Sequence, residues 1–445
     1  MSRRRLPFAL LLAAALLGAV ASVAAADPPW SPPSALPGAG NGPAAATARG
    51  HVATLSTSDR TQPPGTACQL VRIDPATGAV LSSTGVDLGD AQVAAYANDA
   101  LAVAGSSIGP SGTIDDESRV RAGTTAGAAG APALKTLSGT QSQNVTALVG
   151  NARGDVALST RGLRSRLIFL RRKGTSTFTR VLTIAASSTA RDVTVALSPD
   201  GQLLVAWEDR HEVFARHRGT SGTWGAVHTL GPGIQSDLQA AMDGSGRMMV
   251  AWKSQRVNEG ESNAPAVVSF ITAAPGHGFG SRRTIETVGA GRFVGPPGVR
   301  LAVTGRDQAL LAWTGFDGAH FVARALPLSA GHLGARQALS PAGTDAVLGD
   351  LAAANDGRAL ALWRSDVLGA DPVPGAQPHL FGNVRAVGAA TFAAPEAIGG
   401  ATNEVLGPPA AVVDPLTGRP VALFTAFGTA TTPSQPLVSV RPPAG

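Results

Sequence analysis

Short apolar runs separated by turn residues recur along most of the chain, and the stretch from Val193 to Gly231 shows this pattern most clearly. It contains four such runs: Val193–Leu197, Leu203–Trp207, Val213–His217 and Trp224–Leu230. The separators are Pro199-Asp200-Gly201, Asp209-Arg210-His211 and Gly219–Gly222. Because glycine allows a positive φ and aspartate or proline presets a bend, each separator favours a turn. Four short strands in about forty residues predict one blade of a β-propeller.

The second run of this unit recurs with an aromatic residue at its end. The recurrences are Leu-Leu-Val-Ala-Trp207, Met-Met-Val-Ala-Trp252, Leu-Leu-Ala-Trp313, Leu-Ala-Leu-Trp363 and Val-Ala-Leu-Phe424. Alternate residues of a strand point to opposite faces, and in these runs both sets are apolar. This is typical of a strand that is covered on both faces. We therefore expect the tryptophans to pack between blades rather than to form platforms on which sugars stack.

Counting these second strands predicts an all-β chain that forms a single β-propeller of about eight four-stranded blades, with seven as the alternative. The first unit shows three strands, His51–Ser56, Gln69–Asp74 and Val80–Leu88, and is expected to lack its opening strand. The last unit, about 401–440, is expected to lack its closing strand. Offset ends of this kind allow one terminus to complete the blade of the other.

The first 46 residues differ from the repeats. Residues 1–26 predict a secretory signal peptide, because Arg3-Arg4-Arg5 precedes the apolar run Leu6–Val20 and Ala24-Ala25-Ala26 fits the small-residue cleavage pattern. The apolar run is too short for a stable membrane span. Residues 27–46 are rich in Pro, Gly and Ala and predict a disordered leader, so the propeller domain is assigned to 47–445. We expect a secreted, extracellular monomer with no membrane span.

The charge and cysteine content of the chain limit the classes of ligand that it is expected to bind. The 36 Lys and Arg residues exceed the 30 Asp and Glu residues, and loss of the three signal-peptide arginines lowers the net charge from +6 to +3. So small an excess does not indicate a nucleic-acid-binding protein. The single cysteine, Cys68, excludes an internal disulfide and a zinc site made of four thiolates. We predict no cofactor and no metal.

In a propeller, the connections between second and third strands lie on the same rim as the connections between consecutive blades. Two second-to-third connections are long, Lys253–Pro265 and Arg364–Pro378, and long loops on a rigid scaffold often carry function. The candidate ligand-binding residues of this rim are Arg191, Asp192, Glu208, Asp209, Arg210, Asp237, Lys253, Arg292, Arg364, Asp366 and Glu404. Their arginines suit bidentate contacts with carboxylate or phosphate. The alternative is that these are solvated turn residues.

The segment from Arg161 to Arg180 contains seven basic residues and no acid. This composition fits attachment to an anionic polymer or membrane surface. It fits equally a solvated hairpin, because Arg171-Arg172-Lys173-Gly174 has the composition of a turn.

Gly222-Thr223-Trp224-Gly225 leads into Val227–Leu230, and Asp243–Gly246 leads into Val250-Ala251-Trp252. On these units the chain resembles secreted bacterial propellers of the sialidase-like, BNR-repeat type. The S/T-x-D-x-G-x-x-W/F turn of that family is not reproduced. The resemblance implies a tyrosine nucleophile paired with a glutamate, whereas this chain has one tyrosine, Tyr96, and no catalytic residue is assigned.

Together these features favour an exported, non-catalytic propeller. It is expected to bind a surface, matrix or protein ligand through the loops of one rim, and that ligand is a protein or a glycan. The alternative is a glycan-active hydrolase or lyase of sialidase-like fold that uses rim carboxylates such as Glu208, Asp209 and Asp237. Two carboxyl groups about 5–9.5 Å apart in a concave pocket would favour the enzyme.

Overall fold

Eight antiparallel sheets form a ring, and the chain is an eight-bladed β-propeller. The computed structural model describes residues 30–38, 40–57, 68–97, 99–107, 119–125, 131–141, 143–162, 165–185, 192–233, 237–255, 265–288, 298–365, 379–399, 405–426 and 435–442. All regular elements in these ranges are β-strands, so the predicted fold class and the count of eight blades are confirmed. The predicted signal peptide lies outside the described residues. Within them, no helix has the length and hydropathy needed to cross a bilayer.

Each blade has four main strands, and the first strand of each blade lies at the inner edge. The N-terminal strand is β1 (Ser34–Ala35). Blade 1 consists of β2 (Gly40–Ala46), β3 (Val52–Thr57), β4 (Cys68–Ile73) and β5 (Val80–Val86). Blade 2 consists of β6 (Gly89–Tyr96), β7 (Ala100–Ser106), β8 (Arg119–Thr124) and β9 (Lys135–Gln141). Blade 3 consists of β10 (Asn144–Gly150), β11 (Val156–Arg161), β12 (Ser165–Arg171) and β13 (Thr179–Ala185).

The remaining blades follow the same order. Blade 4 consists of β14 (Val193–Leu197), β15 (Leu203–Asp209), β16 (Glu212–Arg218) and β17 (Trp224–Pro232). Blade 5 consists of β18 (Asp237–Met242), β19 (Met248–Gln255), β20 (Ala266–Ala273) and β21 (Arg283–Val288). Blade 6 consists of β22 (Val299–Gly305), β23 (Gln308–Phe316), β24 (Phe321–Ser329), β25 (His332–Leu333) and β26 (Gln337–Ala338). Blade 7 consists of β27 (Ala346–Ala353), β28 (Ala359–Ser365), β29 (His379–Arg385) and β30 (Glu396–Ile398). Blade 8 consists of β31 (Val405–Val413), β32 (Pro420–Ala426), β33 (Gln435–Val440) and the N-terminal strand β1.

The apolar core is divided among the eight seams between neighbouring blades, and each seam holds at least one cluster of buried side chains. Trp252 of blade 5, for example, packs with Leu204 and Val213 of blade 4. Trp252, Trp313 and Trp363 are all fully buried. The sheets of the two neighbouring blades cover each second strand, which explains why the residues on both of its faces are apolar. The prediction that the tryptophans pack between blades is confirmed.

The N-terminal segment closes the ring. Strand β1 pairs with β33 as the fourth strand of blade 8, with Ser34 opposite Val438. The N–H of Ser31 donates to the carbonyl of Val440 over 2.8 Å, and the Trp30 ring packs into the seam of blades 7 and 8. The last blade therefore lacks a closing strand of its own, as the sequence predicts, and the N-terminus supplies it.

Two expectations about this end of the chain are corrected. Blade 1 does not lack its opening strand, because β2 occupies that place beside β3. Strands β1 and β2 both fall within 27–46, so the prediction of disorder does not hold for these residues. Their backbone N–H and C=O groups pair with the free edges of β33 and β3, and such pairing needs no apolar side-chain pattern.

The connections between strands divide into two rims. The turn rim carries the first-to-second and third-to-fourth connections, and its first-to-second turns have two to six residues. The loop rim carries the second-to-third connections and the connections between blades. There, ten residues separate Thr57 from Cys68 and 13 separate Ser365 from His379. Most of the long loop after Lys253 (256–264) lies outside the described residues. The same holds for most of the long loop after Arg364 (366–378).

Candidate functional site

The first strands of the blades line the central channel, and one register position in them is polar in four successive blades. Thr194, Gln239, Arg300 and Asp350 hold this position in blades 4 to 7. Each lies opposite the residue that precedes the tryptophan of the second strand, so the four lie at one level of the channel. All four are partly exposed. Further toward the turn rim the channel is lined mainly by small apolar residues, among them Ala44, Ala46, Ala302 and Ala352.

Arg300 joins three blades at this level. Its guanidinium lies 3.5 Å from Oδ2 of Asp237 in blade 5 and 3.3 Å from Oδ1 of Asp350 in blade 7. Oδ2 of Asp237 also accepts hydrogen bonds from the backbone N–H groups of Gly298 and Val299, over 2.6 and 2.9 Å. Both carboxylates therefore face the same guanidinium, one from each side of blade 6.

Lys253 adds a second cation at the loop-rim end of the channel. It lies directly opposite Asp237 in the pairing of β18 with β19 and is only 7% exposed. Its side chain crosses Gly298 so closely that a Cβ at that position would overlap the lysine stem. Burial lowers the pKa of Lys253 to about 8, and the charge of Asp237 acts in the opposite direction. Asp237, Lys253, Arg300 and Asp350 are called the charged cluster below.

A second group of charges occupies the loop rim between blades 3 and 4. Glu208 follows Trp207 as Lys253 follows Trp252, and both Glu208 and Arg166 are 2% exposed. Burial lowers the pKa of the Arg166 guanidinium and Arg161 lowers it further, whereas the carboxylates of Asp209 and Asp192 raise it. Asp192, Asp209 and Arg161 therefore all lie near enough to Arg166 to act on its charge. The N–H of Glu208 donates to the carbonyl of Asp192 over 3.0 Å.

A polar pocket of about 410 Å³ opens beside the inner strands of blades 1 to 3. Its polar lining residues are Asp90, Gln92, Asn144, Thr146 and Arg161. Amide, hydroxyl, carboxylate and guanidinium groups are the donors and acceptors that hydroxyl-rich or peptide ligands use. The pocket shares Arg161 with the charges between blades 3 and 4, so the polar lining continues around the loop-rim end of the channel.

The structure brings together part of the predicted rim set. Asp237 and Lys253 belong to the charged cluster, and Asp192, Glu208 and Asp209 lie together between blades 3 and 4. Arg210 is exposed in the two-residue turn after β15 with φ 50°, and Arg364 is half-buried at the place that Lys253 takes in blade 5. The predicted residues that lie outside the described ranges are Arg191, Arg292, Asp366 and Glu404.

Sequence reasoning missed Arg300 and Asp350, the two residues that complete the charged cluster. The sequence does carry a signal for both residues, because each is the single charged residue of its first strand. The partners of Arg300 lie 63 and 50 residues away in the chain, so no local pattern connects them.

The basic segment 161–180 does not form one surface. Arg166 faces the loop rim, whereas Arg171 lies 5.0 Å above the Tyr96 ring and Arg172 pairs with Asp155 over 3.3 Å at the turn rim. Tyr96 is itself the last residue of β6, so it lies at the turn-rim end of the channel. The tyrosine is thus at the opposite end from the rim carboxylates, and the described residues do not assemble the nucleophile pair that the sialidase resemblance implies.

In the described part of the chain, no three His, Cys, Asp or Glu residues converge in a way that could hold a metal ion.

The chain resembles solved propeller structures at low sequence identity. The WD40 domain of SCAP from fission yeast matches with a TM-score of 0.50 and 8% identity over 93% of this chain and 98% of that chain. Sqt1 from Saccharomyces cerevisiae matches with a TM-score of 0.50 and 9% identity over 94% of this chain and all of that chain. The likeness shows the propeller fold alone.

The polysaccharide lyase Uly1 is a more distant match, with a TM-score of 0.46 and 10% identity over 92% of this chain and 90% of that chain, and it says nothing about chemistry. No protein-family model matches the chain, and a search of curated proteins found no match.

Proposed function

We propose that the protein is an exported, non-catalytic propeller that binds a surface, matrix or protein ligand at the loop-rim end of its channel. The observation that carries this proposal is the convergence of three features around one opening: the charged cluster, the charges between blades 3 and 4, and the polar pocket. The ligand is a protein segment or a glycan that presents hydroxyl, amide or charged groups of both signs.

The asymmetry of the two rims supports the same end of the channel. On the opposite rim the first-to-second turns have two to six residues and the third-to-fourth connections reach ten, whereas five second-to-third connections on the loop rim have eight to 13 residues. Loops that extend from a rigid scaffold can vary without disturbing the sheets, and this is where recognition surfaces are commonly built. An opening that is lined by polar groups, on the rim where the strands that these connections join end and begin, fits a recognition role.

Contacts within the charged cluster favour binding over catalysis. A glycosidase needs one carboxyl group that donates a proton and one that attacks or activates water. Oδ2 of Asp237 instead accepts from two backbone N–H groups and faces Arg300, while Oδ2 of Asp350 accepts from the N–H of Ala411 over 2.8 Å. These oxygens hold neighbouring blades in register and act as acceptors.

A printed array of glycans and extracellular-matrix proteins tests the proposal. We expect saturable binding of the wild-type protein to at least one class of array features. Arg300→Ala should weaken that binding at least tenfold, because a charge-assisted contact contributes about 1.5–3 kcal/mol. Arg153→Gln, on the exposed turn rim, is the matched control and should bind like the wild type. Equal weakening by both variants, or no binding to any feature, would refute the proposal.

A glycan-active hydrolase or lyase is the second candidate, favoured by the pair of carboxylates at Arg300 in a concave channel. Incubation of array-selected glycans with the protein, followed by mass spectrometry, distinguishes it. Shortened or unsaturated products that disappear in Asp350→Asn would establish an enzyme. Intact glycans that remain bound would establish a binding protein.

A further inference from the structure

A second pocket lies on the turn rim, at the seam of blades 7 and 8, and is separate from the loop-rim site. Its volume is about 370 Å³. Three arginines from different parts of the chain line it: Arg358 at the first turn of blade 7, Arg385 at the end of β29, and Arg441 just after β33. The rest of the wall is largely apolar and includes Val384, Val387, Phe392, Pro420 and Pro442.

Two of these arginines already have a carboxylate partner. Arg441 makes a bidentate pair with Glu396 over 3.0 and 2.9 Å. Arg358 lies 2.6 Å from Oδ2 of Asp356 and also donates to the carbonyl of Thr417 in blade 8 over 2.5 Å. Arg358 crosses Gly418 so closely that any Cβ there would overlap it, and that glycine has φ +72°. These two arginines therefore form fixed parts of the wall.

Arg385 is different. It donates from Nε to the carbonyl of Ala389 over 2.8 Å and from one terminal nitrogen to the carbonyl of Gly357 over 3.1 Å. A guanidinium has five N–H donors, so these two bonds leave donors for a further acceptor. Among the described residues, no carboxylate lies within ion-pair distance of it. Burial lowers the pKa of Arg385, and no charged group opposes that effect.

An uncompensated guanidinium in a half-buried, largely apolar pocket is complementary to one class of ligand. A single carboxylate would pair with the cation, and a short apolar body would cover Phe392 and Val384. We propose that this pocket binds a small monocarboxylate with an apolar body of about ten non-hydrogen atoms, a size that suits a pocket of this volume. The site is independent of the proposed loop-rim function, because it lies on the opposite rim.

The ligand would also stabilise the folded ring. The pocket wall includes residues of blade 7 and of the segment that follows β33 in blade 8. A ligand that contacts both blades binds them when they are packed together and not in the unfolded chain. Its binding therefore raises the unfolding temperature in a concentration-dependent way.

Calorimetric titration of the full chain with octanoate tests the proposal, with octanol as the uncharged match. We expect saturable binding of octanoate with a dissociation constant of about 1 mM or tighter, no saturable binding of octanol, and a rise in the unfolding temperature with octanoate alone. Arg385→Gln should weaken octanoate at least tenfold, since a hydrogen bond to a charged group is lost. The exposed Arg283→Gln, on blade 5, should leave affinity unchanged.

Ala393→Leu provides a test that does not alter the charge. Ala393 is an exposed pocket residue, so a larger side chain fills the opening without entering the core. It should abolish octanoate binding in a folded protein. Absence of saturable octanoate binding to the wild type, equal binding of octanol, or undiminished affinity in both Arg385→Gln and Ala393→Leu would overturn the proposal. None of these results bears on the loop-rim site.

Discussion

The indole N–H of Trp313 donates to Oε2 of Glu286 over 2.8 Å and so joins the second strand of blade 6 to the outer strand of blade 5. The same carboxylate receives Arg324 over 2.8 Å and is only 6% exposed. A tryptophan that the sequence identifies as a packing residue thus also fixes a buried carboxylate. Each seam combines an apolar cluster with such polar contacts, and both contribute to the stability of the ring.

Replacement of Glu286 should be costly. Glu286→Ala leaves the Trp313 indole N–H and the Arg324 guanidinium without their buried acceptor, and we expect a loss of about 3–5 kcal/mol in the free energy of unfolding. Glu286→Gln keeps an acceptor and should cost less. Denaturant titration measures both, with the exposed Glu212→Ala as a control near zero. A cost below about 1 kcal/mol for Glu286→Ala would contradict this account of the seam.

Substitutions of Trp363 distinguish the contribution of packing to stability from that of hydrogen bonding. It stacks on Phe381 with ring centroids 4.4 Å apart and donates to Oδ1 of Asn383 over 2.7 Å. Trp363→Ala should cost about 3–5 kcal/mol, and Trp363→Phe, which keeps the stack, about 1–3 kcal/mol. Leu416→Ala, at a residue that is 65% exposed, should change the stability little. If phenylalanine were as damaging as alanine, packing would not be the main role of the ring.

Because of Lys253, the free energy of unfolding should depend on pH in the alkaline range. The pKa of Lys253 is about 8 in the folded protein, below that of the unfolded chain, so between those values the unfolded chain binds more protons. The penalty for burying the charged lysine is therefore fully present below pH 8, and its relief raises the free energy of unfolding by on the order of 3 kcal/mol between about pH 8 and about pH 10.4.

Cys68 acts in the opposite sense, because burial raises its pKa to about 11. The difference between the wild type and Lys253→Met isolates the lysine. Unfolding titrations of both proteins at pH 7 to 10 should therefore diverge with pH, and parallel curves would show that Lys253 titrates normally.

Trp30 should anchor the closure of the ring. The N–H of Val440 donates to Oγ of Ser31 over 3.0 Å, and the Trp30 ring covers the seam beside it. Trp30→Ala should speed amide hydrogen exchange at Val440 by detaching β1, while amides in blade 4 such as Val205 keep their protection. Equal acceleration in both blades would show global destabilisation rather than release of the closing strand.

The sequence predicts what local patterning determines. Runs such as Leu203–Trp207 are apolar on both faces because each blade is covered by two neighbours, so the strands and the blade count follow from the pattern. Strand β2 could not be found in this way, since its sequence GNGPAAA has the composition of a flexible segment. Its strand forms because the inner edge of β3 offers unpaired backbone groups, which is a property of the assembled ring.

The candidate site could be predicted only in part. The rim position of Asp237, Lys253 and Glu208 follows from their place after or before a recognised strand. Which residues meet depends on contacts between different blades, and Arg300 acquires its two carboxylate partners only when blades 5, 6 and 7 stand side by side. The pocket around Arg385 has the same origin, because its walls come from two blades.

Hydrogen exchange with and without an array-selected ligand tests the central claim most directly, because it reports which end of the channel the ligand covers. We predict protection of the first-strand amides near the loop rim, in Leu238–Gln239 and Arg300–Leu301. The turn-rim amides of Gly201–Gln202 and Gly246–Arg247 should be unaffected. Protection confined to the turn rim would contradict the assignment of the binding site.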